Sequence, residues 1–346
     1  MQFTNYTPFA GDAWETVNSD GQWFATALAR ARFKLIPSDQ TGAWRWQLDP
    51  EQGDLFGEDE FHRDDDIPSS VRHESDYVNF KPAGDLILNA HSYAPEGEAR
   101  TAWTCGVQVH AATGECSHRL DLKVQGPKGV LLRQAVAKTP IRYENANGGI
   151  LKVKHRGQED ESLTVDLHNP VGCGHYFYAG DAPRETQIRY AGNRRPAPPG
   201  FGAIHRSWKN RLDLAGTYDQ RWIDEQHPLP PHDFDFRHHQ AAHPALIVDG
   251  YFQAGMQIRL ENLLPHHPES SFEIPEYRLL TRIQTQHEQR TVRMVLDTLL
   301  FDIDAENPED FRVYASWRAY DRLYGEAQTA EVMLLPQSTE QIREAA

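Results

Sequence analysis

His227, His232, His238, His239 and His243 crowd around Asp233 and Asp235 in the second half of the chain. Imidazole nitrogens and carboxylates are the groups that hold zinc and other transition metals. A set such as His232, Asp235 and His239 therefore sketches a metal-dependent hydrolase built on the His/Asp cluster at 227–243. The spacing matches no established metal signature, and the same residues suit exposed turns in which aspartate caps backbone N–H groups. Cys173 and His175 invite a thiolate–imidazole reading, because an adjacent imidazolium lowers a thiol pKa. Such a pair also needs an oxyanion site and an orienting group, and Gly172-Cys-Gly174 reads more simply as a small residue in a turn. Asp64-Asp65-Asp66 could attract calcium, but it lacks the spaced oxygen ligands and turn glycine of a calcium loop and reads as a solvated acidic stretch. There is no Gly-x-Ser-x-Gly elbow, no phosphate-cradling glycine loop and no zinc-type Cys pair. We assign no catalytic, cofactor-binding or metal-ligating residue from the sequence.

The histidine cluster adjoins residues 200–237, a segment with neither a helical nor a strand period. Irregular connections longer than roughly 12–15 residues are uncommon in compact domains unless they are functional or disordered. The tryptophans and tyrosines of this segment argue against disorder. An ordered recognition loop follows, with Arg206, Trp208, Tyr218, Asp219, Trp222, Asp233, Asp235 and Arg237 as candidate partner-binding residues. Aromatic residues and arginine dominate protein interfaces, and guanidinium forks fit carboxylates. Large aromatics are also usually buried, so Trp208, Tyr218 and Trp222 could instead close the core beneath the loop. Asp219 and Asp235 are the best exposed candidates.

The elements that position this loop read as strands. Leu120, Leu122 and Val124 alternate with Arg119, Asp121, Lys123 and Gln125, and Met256, Ile258 and Leu260 alternate with Gln257, Arg259 and Glu261. The run 291–304 places Val292, Met294, Leu296, Thr298 and Leu300 on one face, and a turn at 305–310 returns it to Phe311–Trp317 as a hairpin. Helical periodicity is scarce, with one short helix expected after Ser338. The expected fold is mainly β, in antiparallel β-sandwich or barrel-like halves with long irregular loops and few short helices. The Pro-rich stretch 192–200 suggests a boundary between an N-terminal domain (1–191) and a C-terminal domain (192–346), or a linker within one continuous domain. Pairing 101–111 with 117–125 sets Cys105 opposite about residue 122, too far from Cys116 for a disulfide, so Cys105, Cys116 and Cys173 read as free thiols.

Fifty acidic against 35 basic residues give the 346-residue chain a net charge of −15. That balance disfavours nucleic acid and anionic membranes, which need concentrated basic surface. The opening residues lack the basic and apolar regions of a signal peptide, and no apolar run approaches the roughly 18 residues of a membrane span, so a cytoplasmic protein is expected.

Gly202-Ala-Ile-His-Arg206, Ser207-Trp208, Arg211, Ala215-Gly-Thr-Tyr-Asp219, Trp222, Leu229-Pro230 and Asp233-Phe-Asp235 with Arg237 carry a family resemblance. Upstream, so do Ser69-Ser70, Arg72, Glu74-Ser75-Asp76, Lys81-Pro82, Asp85, Ala94-Pro95 and Gly97, after an opening Asn5-x-Thr7-Pro8-Phe9. In these residues the chain resembles the bacterial family DUF2169, proteins associated with type VI secretion systems. It departs from the family pattern at Asn210, at 242–244 and at 250–255. The resemblance implies a cytosolic adaptor or chaperone whose partners are an effector protein and the spike or tip proteins of the secretion system, acting without a cofactor. A soluble acidic β protein with an ordered loop suits protein–protein recognition, including strand addition at an open sheet edge. A carbohydrate-binding β-sandwich with Trp and Tyr platforms is a third reading.

Overall fold

Burial follows the period of two along the expected strands. In Cys116–Gln125, Leu120, Leu122 and Val124 are buried between more exposed neighbours, and in Gln257–Leu264 the buried Ile258 and Leu260 flank exposed Arg259. Cys105 stands opposite Leu122 and Cys116 opposite His110, and none of the three cysteines forms a disulfide. The computed structural model describes residues 1–37, 44–63, 69–129, 131–154, 161–174, 186–193 and 197–335. Asp64-Asp65-Asp66, His175 as the partner of Cys173, Arg194 to Pro196 of the Pro-rich stretch and the helix expected after Ser338 lie outside the described residues.

Among the described residues three large open sheets surround the main apolar core. An eight-stranded sheet centres on Gly84–Tyr93, Val295–Ile303, Arg312–Arg322 and Trp23–Pro37, with Ala10–Val17 at one end and Lys138–Pro140 at the other; Ile247–Val248 and Trp44–Leu48 attach beside this path. Gly84–Tyr93 runs parallel to Val295–Ile303, and the other ladders of this sheet are antiparallel. A five-stranded antiparallel sheet runs in the order Ile188–Tyr190, Cys116–Gln125, Ala102–His110, Gln257–Leu264, His267–Glu273. A four-stranded sheet runs Gln2–Asn5, Ala327–Leu334, Leu279–Thr285, Gln289–Arg293. Leu86 and Phe301 from the first sheet, Val107 and Ile258 from the second, and Leu279 and Val332 from the third meet in the main apolar cluster.

The barrel-like expectation is wrong. Among the described residues no large sheet closes on itself, and each ends in edge strands. Closure demands one consistent tilt and stagger through every ladder. Here the ladders shift register at Leu296/Thr298 and Glu261/Leu264, and the chain leaves one sheet for the next. The run 291–304 is likewise divided: Gln289–Arg293 ends in the four-stranded sheet, and Val295–Ile303 begins in the eight-stranded one. Its return through Arg312–Arg322 is the expected hairpin. Strands from both sides of residue 192 share each of the three large sheets. The helices are short, Lys209–Leu212 and Gln220–Glu225 among them, and both belong to the irregular loop.

Candidate functional site

The loop is a closed excursion. The Ile204 N–H donates to the Ala241 carbonyl at 2.8 Å, joining its two ends, and the Ala241 N–H donates to Asp85 Oδ2 at 2.9 Å on a central strand. At the start of the loop, the Leu88 N–H donates to the Phe201 carbonyl, and the Tyr143 hydroxyl donates to the Gly202 carbonyl at 2.8 Å. A Cβ at Gly200 would stand 2.4 Å from the Tyr143 ring, so only glycine allows this approach. Trp208 packs edge-on against Tyr143, with ring centroids 5.2 Å apart, in a small cluster with Ala197 and Ile204. It is 4% exposed, so Trp208 belongs to the core and is withdrawn from the partner-facing set: its ring anchors the loop from beneath.

Arg211 clamps the base. From a 4% exposed position its guanidinium donates to Glu74 Oε1 at 2.6 Å, to the Ile204 carbonyl at 2.7 Å and to the His238 carbonyl at 2.8 Å, tying together both arms of the loop and the segment 69–85. Arg206, partly exposed, donates to Asp59 at 2.7 Å and lies 3.4 Å from Glu74. Burial works against ionisation of Asp59, yet the hydrogen bonds from His205 and the Ser75 N–H and the charge of Arg206 hold its pKa below the ordinary carboxylate value.

Beyond the clamp, the tip of the loop is built from local polar bonds. Asp219 caps Gln220–Glu225 by accepting from the Trp222 N–H at 2.9 Å, the usual role of aspartate at a helix start. Asp233 accepts from the Thr217 N–H at 2.9 Å and the Thr217 hydroxyl at 2.7 Å, and these two bonds lower its pKa. Gly216 makes that turn at φ +85°, where a Cβ would crowd Pro231 and Asp233. Trp222 is half-buried, its indole N–H donating to the Leu229 carbonyl at 2.9 Å, and Tyr218 stacks edge-on against it while remaining 56% exposed. Asp235 caps the turn Phe236–His239 and pairs with Arg237 at 2.6 Å, a bond that lowers the Asp235 pKa. Thr217, Asp219, Trp222, Gln226, Pro231 and Asp233 are among the residues lining an open groove of about 440 Å³. Gln226 rests on the Ser19 carbonyl, so the tip leans on the turn between Ala10–Val17 and Trp23–Pro37.

The histidine cluster scatters. His238 shares a hydrogen bond with the Arg211 carbonyl, and His243 caps a turn through Nδ1 while Nε2 meets the Tyr190 hydroxyl at 2.8 Å. Burial, with the neighbouring His238 and Arg211, presses the pKa of His239 down to about 3, and burial also lowers that of His238. His232 is exposed near Asp20. Asp235 already holds Arg237. Among the described residues no group of three or more His, Cys, Asp or Glu could hold a metal ion, so His232, Asp235 and His239 do not form the imagined ligand set.

Reading the sequence for partner-facing residues misses the function of segment 69–85. Its buried charges are paired, Asp76 with Arg30 at 2.6 Å and Lys81 with Asp85 at 2.7 Å; the buried Arg318, which holds Asp297, also donates to the Asp76 carbonyl, and the partly exposed Arg72 reaches Asp302 at 3.1 Å. Buried charges persist only when paired. The density of charges in this segment was the available signal, but apart from Lys81 and Asp85 the partners lie far apart in the chain.

These features define an open-sheeted, mainly β scaffold carrying a long loop clamped at its base. The chain belongs to the family described as an uncharacterized protein conserved in bacteria, DUF2169, whose model matches residues 20–318. No curated protein and no solved structure matches it. Among the described residues no helix is long and apolar enough to cross a membrane.

Proposed function

We propose that the protein is a type VI secretion-associated adaptor or chaperone that binds a cognate effector, or its tip domain, in the cytosol and assists its loading onto the secretion spike. The family membership supports this reading through the type VI secretion setting that the resemblance implies. The observation that carries the binding role is the tip of the loop, where half-buried Trp222, Asp219 and Asp233 line an open groove and exposed Tyr218 packs on Trp222, above a buried clamp. Aromatic side chains with adjoining charge on a rigid support are the usual composition of an interface hot spot. In this reading Tyr218, Asp219, Trp222 and Asp233 face the partner, Asp235 and Arg237 rim the surface, and Arg206 and Trp208 hold it in place. The physical work is covering an effector's otherwise exposed apolar surface until transfer, and the chain breaks no covalent bond.

The test is co-expression with the effector encoded beside the gene. The expected result is a stable complex on size-exclusion chromatography and a raised soluble yield of effector, both lost in a Tyr218→Ala/Trp222→Ala variant that retains its strand-rich circular dichroism. An effector that is equally soluble without the protein and forms no complex removes the adaptor reading. Binding of glycans without protein would replace it with the carbohydrate-binding one.

A further inference from the structure

The four-stranded sheet ends at Gln289–Arg293, and the hydrogen bonds of that ladder fix which backbone groups face outward. Thr285 N–H donates to the Glu288 carbonyl at 2.9 Å and Met294 N–H to the Leu279 carbonyl at 3.0 Å, so Thr285, Ile283, Thr281 and Leu279 are the bonded positions opposite Glu288, Arg290, Val292 and Met294. Antiparallel ladders alternate bonded and non-bonded pairs. The N–H and C=O groups of Gln289, Thr291 and Arg293 therefore point away from the sheet, and among the described residues nothing bonds them.

Two other edges are blunted. At the edge strand His267–Glu273 the Trp46 indole donates to the Glu273 carbonyl at 2.9 Å, and at Ala10–Val17 the Asp12 carboxylate accepts from the Ala13 N–H at 2.8 Å. Such coverings are how native sheets protect their edges. Among the described residues Gln289–Arg293 has none of them, and its last residue opens into a groove of about 630 Å³ lined by Tyr251, Phe252, Tyr277, Leu280, Arg293 and Met294 among others. Around this edge Arg278 is paired with Glu276, Arg282 with Glu331 and Arg290 with Asp321, whereas Arg293 is exposed and has no ion-pair partner among the described residues.

We infer that Gln289–Arg293 is a strand-addition site for an extended segment of a partner polypeptide, whose backbone pairs with Gln289, Thr291 and Arg293. A carboxylate of that segment meets Arg293, and its following apolar residues enter the groove beside Tyr251 and Tyr277. The ligand chemistry follows from the geometry: outward N–H and C=O groups at alternate residues select extended backbone, the unpaired guanidinium selects an acidic side chain, and the rings of Tyr251 and Tyr277 in an otherwise polar groove offer apolar faces to the residues that follow. This site is separate from the loop groove at 217–233. It deepens the adaptor reading, resting on it for the existence of a polypeptide partner.

The test selects a displayed library of random 12-residue peptides against the full-length protein. Peptides bearing Asp or Glu beside alternating apolar residues should be enriched. A fluorescent copy of one should lose at least tenfold in affinity with Thr291→Pro and with Arg293→Glu, and little with Thr291→Val. Proline at residue 291 removes an outward N–H that the ladder does not use, a substitution edge strands tolerate, and an unchanged circular dichroism spectrum and Tm confirm folding. If Thr291→Pro does not fold, the Arg293→Glu and Arg293→Ala variants carry the same comparison. Failure to enrich any peptide, affinity unchanged in the folded variants, or self-association through this edge in place of peptide binding overturns the inference. With the co-expressed effector the two readings separate: equal binding by wild type and Thr291→Pro sinks the edge site alone, whereas no binding by wild type sinks the adaptor reading and leaves the peptide selection standing.

Discussion

Arg211 and Arg237 lie in the same loop, and each holds a carboxylate at 2.6 Å. Arg211 is 4% exposed and reaches Glu74 across 137 residues of sequence, whereas Arg237 is exposed and turns back two residues to Asp235. Trp208 and Trp222 repeat the contrast, one sealed against Tyr143 and the other half-open beside Tyr218. Equal distance thus does not mean equal consequence. In the base of the loop a bond between remote segments carries desolvated charge, and losing one partner strands the other. At the tip water screens the pair and replaces whatever is removed. The base is organised for stability, and the tip contributes little to it.

The sharpest way to break this comparison is Arg211→Ala. It should cost about 3–5 kcal/mol in urea unfolding, because Glu74 is left buried without its counter-charge, and a loss below about 1 kcal/mol would show that the clamp is not holding the loop. Trp208→Ala should cost a similar amount, about 3–5 kcal/mol, through the cavity it leaves against Tyr143.

Acid should act on the buried groups before the tip. Burial holds His62 and His91 at about 4 and His239 at about 3, well below the roughly 6.5 of an unfolded chain. The stability their neutral forms contribute is complete above pH ~6.5 and lost as pH falls toward those depressed values. Asp302, held at about 2 against the opposing effect of burial by His73 and Arg72, adds a further loss at lower pH as it is protonated. The Tm should therefore decline steadily between pH 6.5 and 4, and His91→Gln or His239→Gln should flatten the decline. A Tm independent of pH over that range would mean these imidazoles are not buried as neutral groups.

Smaller effects belong to the tip. Trp222→Ala, which removes a half-buried ring and its bond to Leu229, should cost about 1–2 kcal/mol and abolish effector capture. Arg237→Ala should change stability by no more than about 0.5 kcal/mol, as surface ion pairs do, and a larger loss in the same urea assay would move Asp235 and Arg237 from the rim to the scaffold.

The strands were legible because side-chain alternation is a local property: Leu120, Leu122 and Val124 announce a buried face wherever the strand ends up. The ordered character of residues 200–237 was legible for a similar reason, since its aromatics and its Asp219 and Asp235 caps act over two or three residues. The assignment of Trp208 to core was not, because a tryptophan reads alike whether Tyr143 or solvent lies beside it. Nor was the scattering of the histidine cluster, since proximity in sequence says nothing about where Arg211, Tyr190 or Asp20 will draw each ring.

By itself, then, the sequence determined a mainly β chain with no disulfide, a negative charge and one long ordered loop, all consequences of composition, period and short-range bonding. Only the tertiary structure decided that the sheets stay open, that Glu74, Asp76, Lys81 and Asp85 are buried supports, and that Gln289–Arg293 is left as an uncovered edge. Those outcomes depend on register and on contacts between residues far apart in the chain, where many sequences with the same local pattern could have closed, paired or covered the same groups differently.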